Sequence, residues 1–377
     1  MLNRLGQSIP PMLLSDWVRR VGQKKWVAVT CLTAMGSCFL LLAAIWSVLD
    51  GDVPKWLPAI FLIVYSLFWF CVGLHNLSIS LLYGKLVNAT LRGRLLLIAT
   101  TIGAVIAVFS AWFLMREWLS EGSGKFNLLF LFTGILFLTA SLVGLTLAEK
   151  SDDDGKPVTR KPLSEIFSSA LLILKTDRNF RLLALIAACF GACITLFPHY
   201  QAYAKQSLQL DLKALVSWVI AQNIGAAVFS VPLGYFADKF GNRLAIRCAM
   251  FLLCIAPILT IVMVYFPTKN PEVGFYSVFF LLGLMPVTMR IFNNYTLEIA
   301  NRDQQPIYLS TLGAIMALPV VLLSTIVGAM ADIVSFEAVF TIVVSIVFIG
   351  WTLTFRLVEP RHIPPPSPAI SPESNES

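Results

Sequence analysis

Gly234-Tyr235-Phe236-Ala237-Asp238-Lys239-Phe240-Gly241-Asn242-Arg243 is the stretch on which the reading of this chain turns. It sets one acid, two bases and two glycines in a short turn between the apolar runs 214–235 and 244–266. Gly234 lets two helices approach closely, and Gly241 permits a tight turn where a side chain would clash. Asp238 can accept hydrogen bonds from a helix N-terminus or pair with a basic residue. Lys239, Arg243 and, one turn on, Arg247 give the turn a positive charge.

The two flanking runs belong to a larger set. Ten runs are long enough to cross a bilayer, which takes about 20 helical residues. They lie at 26–49, 57–82, 95–115, 127–148, 181–204, 214–235, 244–266, 274–297, 308–331 and 335–355. Each is continuously apolar rather than alternating, so helices are expected and a barrel is not. Composition agrees: 57% of the 377 residues are hydrophobic and only 13% charged, where a soluble domain carries about 25% charge. Such a chain cannot cover a water-facing surface, which excludes a soluble enzyme, a disordered chain and a nucleic-acid-binding module. An all-α integral membrane protein remains.

Lysine and arginine orient it. Residues 1–25, 83–94, 149–181, 236–247, 298–307 and the tail after 355 hold 21 of the 28 basic residues, and the opposite connections hold six. The positive-inside rule then places both termini in the cytoplasm. The longest connection, 149–180, opens on the polar run Glu149 to Gly155, and an amphipathic interfacial helix is expected from Pro162 to Phe180, capped by Ser164. The tail from Pro360 is rich in Pro and Ser and is expected to be disordered. The expected organisation is a four-span bundle over 1–148, a linker over 149–180, a six-helix bundle over 181–355 and a tail over 356–377.

The turn at Gly234, Asp238, Lys239, Gly241 and Arg243 resembles the G-x-x-x-D-[RK]-x-G-x-[RK] signature of the major facilitator superfamily. A degenerate copy lies at Ser15 to Lys25, where Met12 stands in place of the first Gly and Gly22 stands six residues after Asp16. Two spans after Asp16 comes Tyr83; two spans after Asp238 comes Tyr295. The resemblance implies two related bundles with short loops. It also implies twelve helices, and two spans precede Asp238 where only fifteen residues precede Asp16. We therefore expect the first two helices of the plan to be absent from this sequence, giving a 4 + 6 arrangement.

No acidic residue lies near the middle of a span, and no H-E-x-x-H, G-x-S-x-G or clustered metal-ligand pattern occurs. No enzyme activity, cofactor or metal is expected. The polar groups inside spans are the candidates. His75 and Arg290 stand at matching depth on repeat-related helices, which the resemblance makes lining helices. Asn76 adjoins the first, and Asn293 and Asn294 follow the second. Arg290 could contact solute, snorkel, or pair with Asp238; His75 could face the cavity or bond between helices. Gln222 and Asn223 could glue helices or face the cavity. Pro232, Pro286 and Pro319 are expected to bend their spans.

The resemblance implies a secondary transporter of a small solute, monomeric, in the lipid bilayer of a bacterial inner membrane, with no nucleic-acid partner. A non-transporting remnant or membrane scaffold is the competing expectation. A cation such as Arg290 facing a cavity would favour an anionic or electron-rich solute.

Overall fold

The computed structural model describes residues 2–49, 54–118, 125–152, 162–206, 215–265, 271–333 and 335–360. The expected tail beyond 360 and the linker residues 153–161 lie outside them. The described residues form helices joined by turns, with no strand among them. In order they form α1 Leu2–Arg20, α2 Lys24–Val48, α3 Leu57–Leu86, α4 Arg92–Ser110 and α5 Arg116–Trp118, the last two joined by a π-turn at Ala111–Met115. Then follow α6 Phe126–Leu145, α7 Leu163–Thr176, α8 Arg178–Thr195, α9 Phe197–Gln206, α10 Leu215–Phe240, α11 Asn242–Leu253 and α12 Ile255–Tyr265. α13 Pro271–Leu282, α14 Leu284–Ile299, α15 Gln305–Ile333 and α16 Phe336–Leu353 complete the chain.

Ten helical spans among the described residues are long and apolar enough to cross a membrane. The protein is an all-α integral membrane protein. The physical reason is the bilayer itself: a spanning backbone must satisfy its own polar groups, and a helix does so within one segment.

The connection expected before the first span is largely a helix. Residues 2–20 form α1, although Pro10 and Pro11 interrupt its hydrogen bonding. Packing holds it: α1 lies on α3 and on α15, burying Ser8, Pro10, Pro11, Ser15 and Val18. Tertiary contact overrides local propensity here. Asp16, on this helix, pairs with Arg19 and Arg20.

The remaining packing lies mostly within each half of the chain, with two broad crossings between the halves and smaller ones of α3 on α14 and α15 and of α4 on α14. α2 packs on α3 and α6; α8 packs on α15 and α16; α10 packs on α11 and α13. The broad crossings are α4 on α10 and α1 on α15. The interfacial helix is shorter than expected. It ends at Thr176, and Asp177 caps the next helix by accepting from the Phe180 amide at 2.9 Å, so Arg178 begins α8 instead of ending α7. Ser164 does not cap α7; Pro162 holds the cap position, with no side-chain bond. On α7, Ile166, Ala170 and Ile173 are buried, while Phe167 and Leu171 are exposed.

Prolines act unevenly. Pro286 follows the break at Gly283 between α13 and α14. Pro232 and Pro319 lie inside continuous helices instead. Breaks that were not anticipated fall at Leu196, just before Pro198, and at Cys254, just before Pro257. The rigid proline ring and its missing N–H explain why the ladder yields there.

Candidate functional site

Two structures join the second half of the chain to the first. The first is a latch. α10 runs on through Lys239 to Phe240, and Gly241 then takes φ +91°, a left-handed backbone that favours glycine. Asp238, in the last turn of α10, reaches the start of α4. Its carboxylate accepts from the Gly93 amide at 2.7 Å and the Arg94 amide at 2.8 Å. A carboxylate on two free N–H groups at a helix start matches both the unpaired donors and the helix dipole. The Arg94 guanidinium adds little, since it stands 4.0 Å away and is 76% exposed.

Gly234 makes the latch possible. A Cβ there would sit 2.7 Å from the Gly93 carbonyl oxygen, and a Cβ on Gly93 would strike Gly234 and Asp238. The two backbones touch. Gly241 is held equally tightly, against the carboxyl of Glu359. Lys239 turns outward, its Nζ 2.8 Å from the Tyr235 hydroxyl. The Arg243 side chain donates to the Leu357 carbonyl at 3.3 Å, and its amide donates to Glu359 at 3.0 Å.

Glu359 has a counterpart that sequence reading missed. Glu149, whose side chain is fully buried, accepts from the amides of Lys24 and Lys25 at 3.0 and 2.8 Å and from Lys85 Nζ at 2.9 Å. In each half, the acid just after the last span closes the N-terminus of a helix beginning behind it. The signal was present as Leu147-Ala148-Glu149 and Leu357-Val358-Glu359.

The second structure is a cavity of about 340 Å³ between α3, α4 and α14. It brings His75, Asn76, Arg290, Asn293 and Asn294 to one space. Arg290 is exposed there, and its Nη1 donates to the Thr100 hydroxyl of α4 at 2.7 Å. It does not pair with Asp238, which is occupied by α4's amides. His75 Nδ1 lies 3.4 Å from the Ala28 carbonyl on α2; a carbonyl only accepts, so that nitrogen carries the proton. Arg92 stands on the same wall, donating to the Val87 and Gly84 carbonyls at 3.2 and 3.1 Å. A narrower space of about 60 Å³ adjoins, sharing Asn76, Ser80, Met289 and Asn293 and adding Arg4 of α1.

Gln222 and Asn223 lie elsewhere. Asn223 Nδ2 donates to the Val219 carbonyl of its own helix at 2.9 Å. The Gln222 carbonyl faces Gly283, where α10 and α13 cross closely. Neither lines the cavity.

Residues 200–375 match the family model described as Major Facilitator Superfamily. No curated protein sequence matches the chain closely. Three solved structures share its fold, each covering 94% of this chain. The fucose:proton symporter of E. coli has a TM-score of 0.68 at 15% identity over 89% of its length. A human organic anion transporter has 0.67 at 15% over 82%. A bacterial homologue of the iron transporter ferroportin, outward-facing, has 0.63 at 12% over 88%. The second half of the chain thus matches the Major Facilitator Superfamily model, and the fold of solved transporters runs through almost all of its length.

Proposed function

We propose that this membrane transporter moves a small solute by alternating access, with the cavity between α3, α4 and α14 as its central site. One observation carries the reading: helices from both halves of the chain wall that polar cavity, beside a latch made of two amides and one carboxylate. A contact of that kind is strong enough to hold one end shut and weak enough to break, at about 1.5–3 kcal/mol for a hydrogen bond to a charged group. The cavity volume lies within the range of small-molecule sites, roughly 300–1,000 Å³. The working units in this reading are 1–148 and 181–355, joined by 149–180 and followed by the tail 356–377. The protein works as a monomer in a bacterial inner membrane, with both termini in the cytoplasm.

The test needs no knowledge of the solute. Asn293→Cys, in a background without the seven native cysteines, is offered a membrane-impermeant thiol reagent from one side of the membrane and then from the other. Alternating access makes the thiol reachable from each side, in proportions that shift when Asp238→Asn weakens the latch. A thiol reachable from one side only, unchanged by Asp238→Asn, overturns the reading in favour of a static scaffold.

A further inference from the structure

We propose that the central cavity takes a small organic anion, a carboxylate or sulfonate carrying an apolar body, with Arg290 as the group that binds its charge. The inference rests on the transporter reading for its purpose, and on the cavity alone for its chemistry.

Arg290 is nine residues from the cytoplasmic end of α14 at Ile299, about 13 Å along a helix. A guanidinium at that depth is expensive unless it meets protein, water or an anion. Its one hydrogen bond uses a single N–H, on the neutral hydroxyl of Thr100, of the five it can offer. It forms no ion pair among the described residues. Arg4 stands in the adjoining space, bonded to Gln7 Oε1 at 3.4 Å and likewise without an acid partner. No aspartate or glutamate among the described residues lines either space. The nearby acid, Asp238, is occupied by the α4 amides.

The result is a water-accessible space of one sign. Low-dielectric walls focus such a field and attract the opposite charge. The planar fork of an arginine suits a carboxylate or sulfonate, which it grips with two parallel bonds. Asn76 and Asn293 supply uncharged donors beside it. The wall also carries an apolar face at Leu95, Leu96, Ala99, Pro286 and Met289, where a hydrocarbon portion can lie, beside the polar His75, Ser80, Tyr83, Arg92 and Asn294. The solute is therefore a carboxylate with a hydrocarbon portion, of a size that about 340 Å³ admits.

The experiment reads the charge of the cavity directly. The purified full chain carries Asn293→Cys on the background without native cysteines; Ser80→Cys, which borders both spaces, serves if the first variant does not stay monodisperse. Rates are measured with a sulfonate-bearing and a trimethylammonium-bearing methanethiosulfonate, each relative to a free thiol. The expected preference for the anionic reagent is about tenfold. Arg290→Gln reduces it to about threefold or less, and Arg290→Lys keeps most of it. Hexanoate and hexanesulfonate slow the reaction, and hexanamide does not.

The proposal is overturned by equal rates, by a preference that survives Arg290→Gln, or by equal protection from hexanamide. Protection by phosphatidylglycerol in the micelle but not by hexanoate also overturns it, since the site would then belong to lipid headgroups. A charge preference with access from one side only leaves the anion site standing and removes the transporter. Two-sided access without a preference does the reverse.

Discussion

The carboxylates of Glu149 and Glu359 hold the same position in the two halves of the chain, each closing the start of a helix that begins far behind it. Glu149 takes the Lys24 and Lys25 amides of α2, and Glu359 takes the Arg243 amide of α11. The two differ in charge environment. Glu149 is also bridged to Lys85, while Glu359 forms no ion pair among the described residues. Removing one partner of a buried pair costs roughly 3–5 kcal/mol, whereas losing a helix-terminal anion costs about 1–2 kcal/mol. Glu149→Gln should therefore lower the unfolding temperature in detergent more than Glu359→Gln. The reverse order would mean that Lys85 contributes nothing to the clamp.

Glycines give a sharper contrast. Gly93→Ala sets a methyl against the Gly234 carbonyl and the Asp238 carboxylate. Gly103→Ala, three turns along α4, meets nothing within 4 Å. Alanine is the better helix former by about 0.8–1.0 kcal/mol. Gly103→Ala should be neutral or stabilising, and Gly93→Ala should destabilise by about 1–3 kcal/mol, the usual result of overpacking. Thermal unfolding of the two variants side by side decides it, and similar effects would mean that α4 and α10 do not touch at Gly93.

The latch predicts a graded series. Asp238→Asn keeps one acceptor oxygen and loses the charge; Asp238→Ala loses both. The first should weaken the contact by about 1 kcal/mol and the second by about 2–3 kcal/mol. The readout is the share of Asn293→Cys labelled from the cytoplasm, which should rise from the parent through Asn to Ala. A flat series would detach Asp238 from the opening of that side.

Much of this was legible in the residues, and the failures have physical causes. Continuous apolar runs at bilayer length mark helices, since little else can cross lipid. Asp238 was readable because Gly234 and Gly241 flank it in the signature. Its partners were not, because Gly93 and Arg94 become neighbours only when α4 crosses α10. α1 was counted only as a connection, because the contacts with α3 and α15 that hold a helix through Pro10 and Pro11 are not local. Matching depth brought His75 and Arg290 to one cavity, while nothing in the sequence marked Thr100 or Arg4 as their neighbours. Gln222 and Asn223 show the limit of polarity alone: an amide inside a span can bond along its own helix.

The orientation can be checked at single residues. Lys24, Lys85, Arg94, Lys239 and Arg243 gather around Glu149, Asp238 and Glu359 at one end of the molecule. The positive-inside rule assigns that end to the cytoplasm. Arg94→Cys should be labelled by an impermeant reagent only in inside-out vesicles, and Trp56→Cys, at the other end of α3, only in right-side-out vesicles. The opposite pattern would invert the protein in the membrane.

The bond between Arg290 and Thr100 makes the most demanding prediction. It ties α14 to α4 across the cavity, so it orients the guanidinium as well as joining the two halves. Thr100→Val keeps the shape and removes the acceptor. Arg290 is exposed to the cavity, so water can take up the freed N–H, and the loss in stability should be only about 0.5–1.5 kcal/mol. The charge stays, so the preference for an anionic thiol reagent at Asn293→Cys should persist. Its aim is lost, so protection by hexanoate should need a several-fold higher concentration. Thr100→Ser restores the acceptor and should restore the protection. Arg290→Gln, by contrast, should remove preference and protection together. If Thr100→Val leaves hexanoate protection unchanged, the bond only holds helices together, and the arginine finds its anion without it.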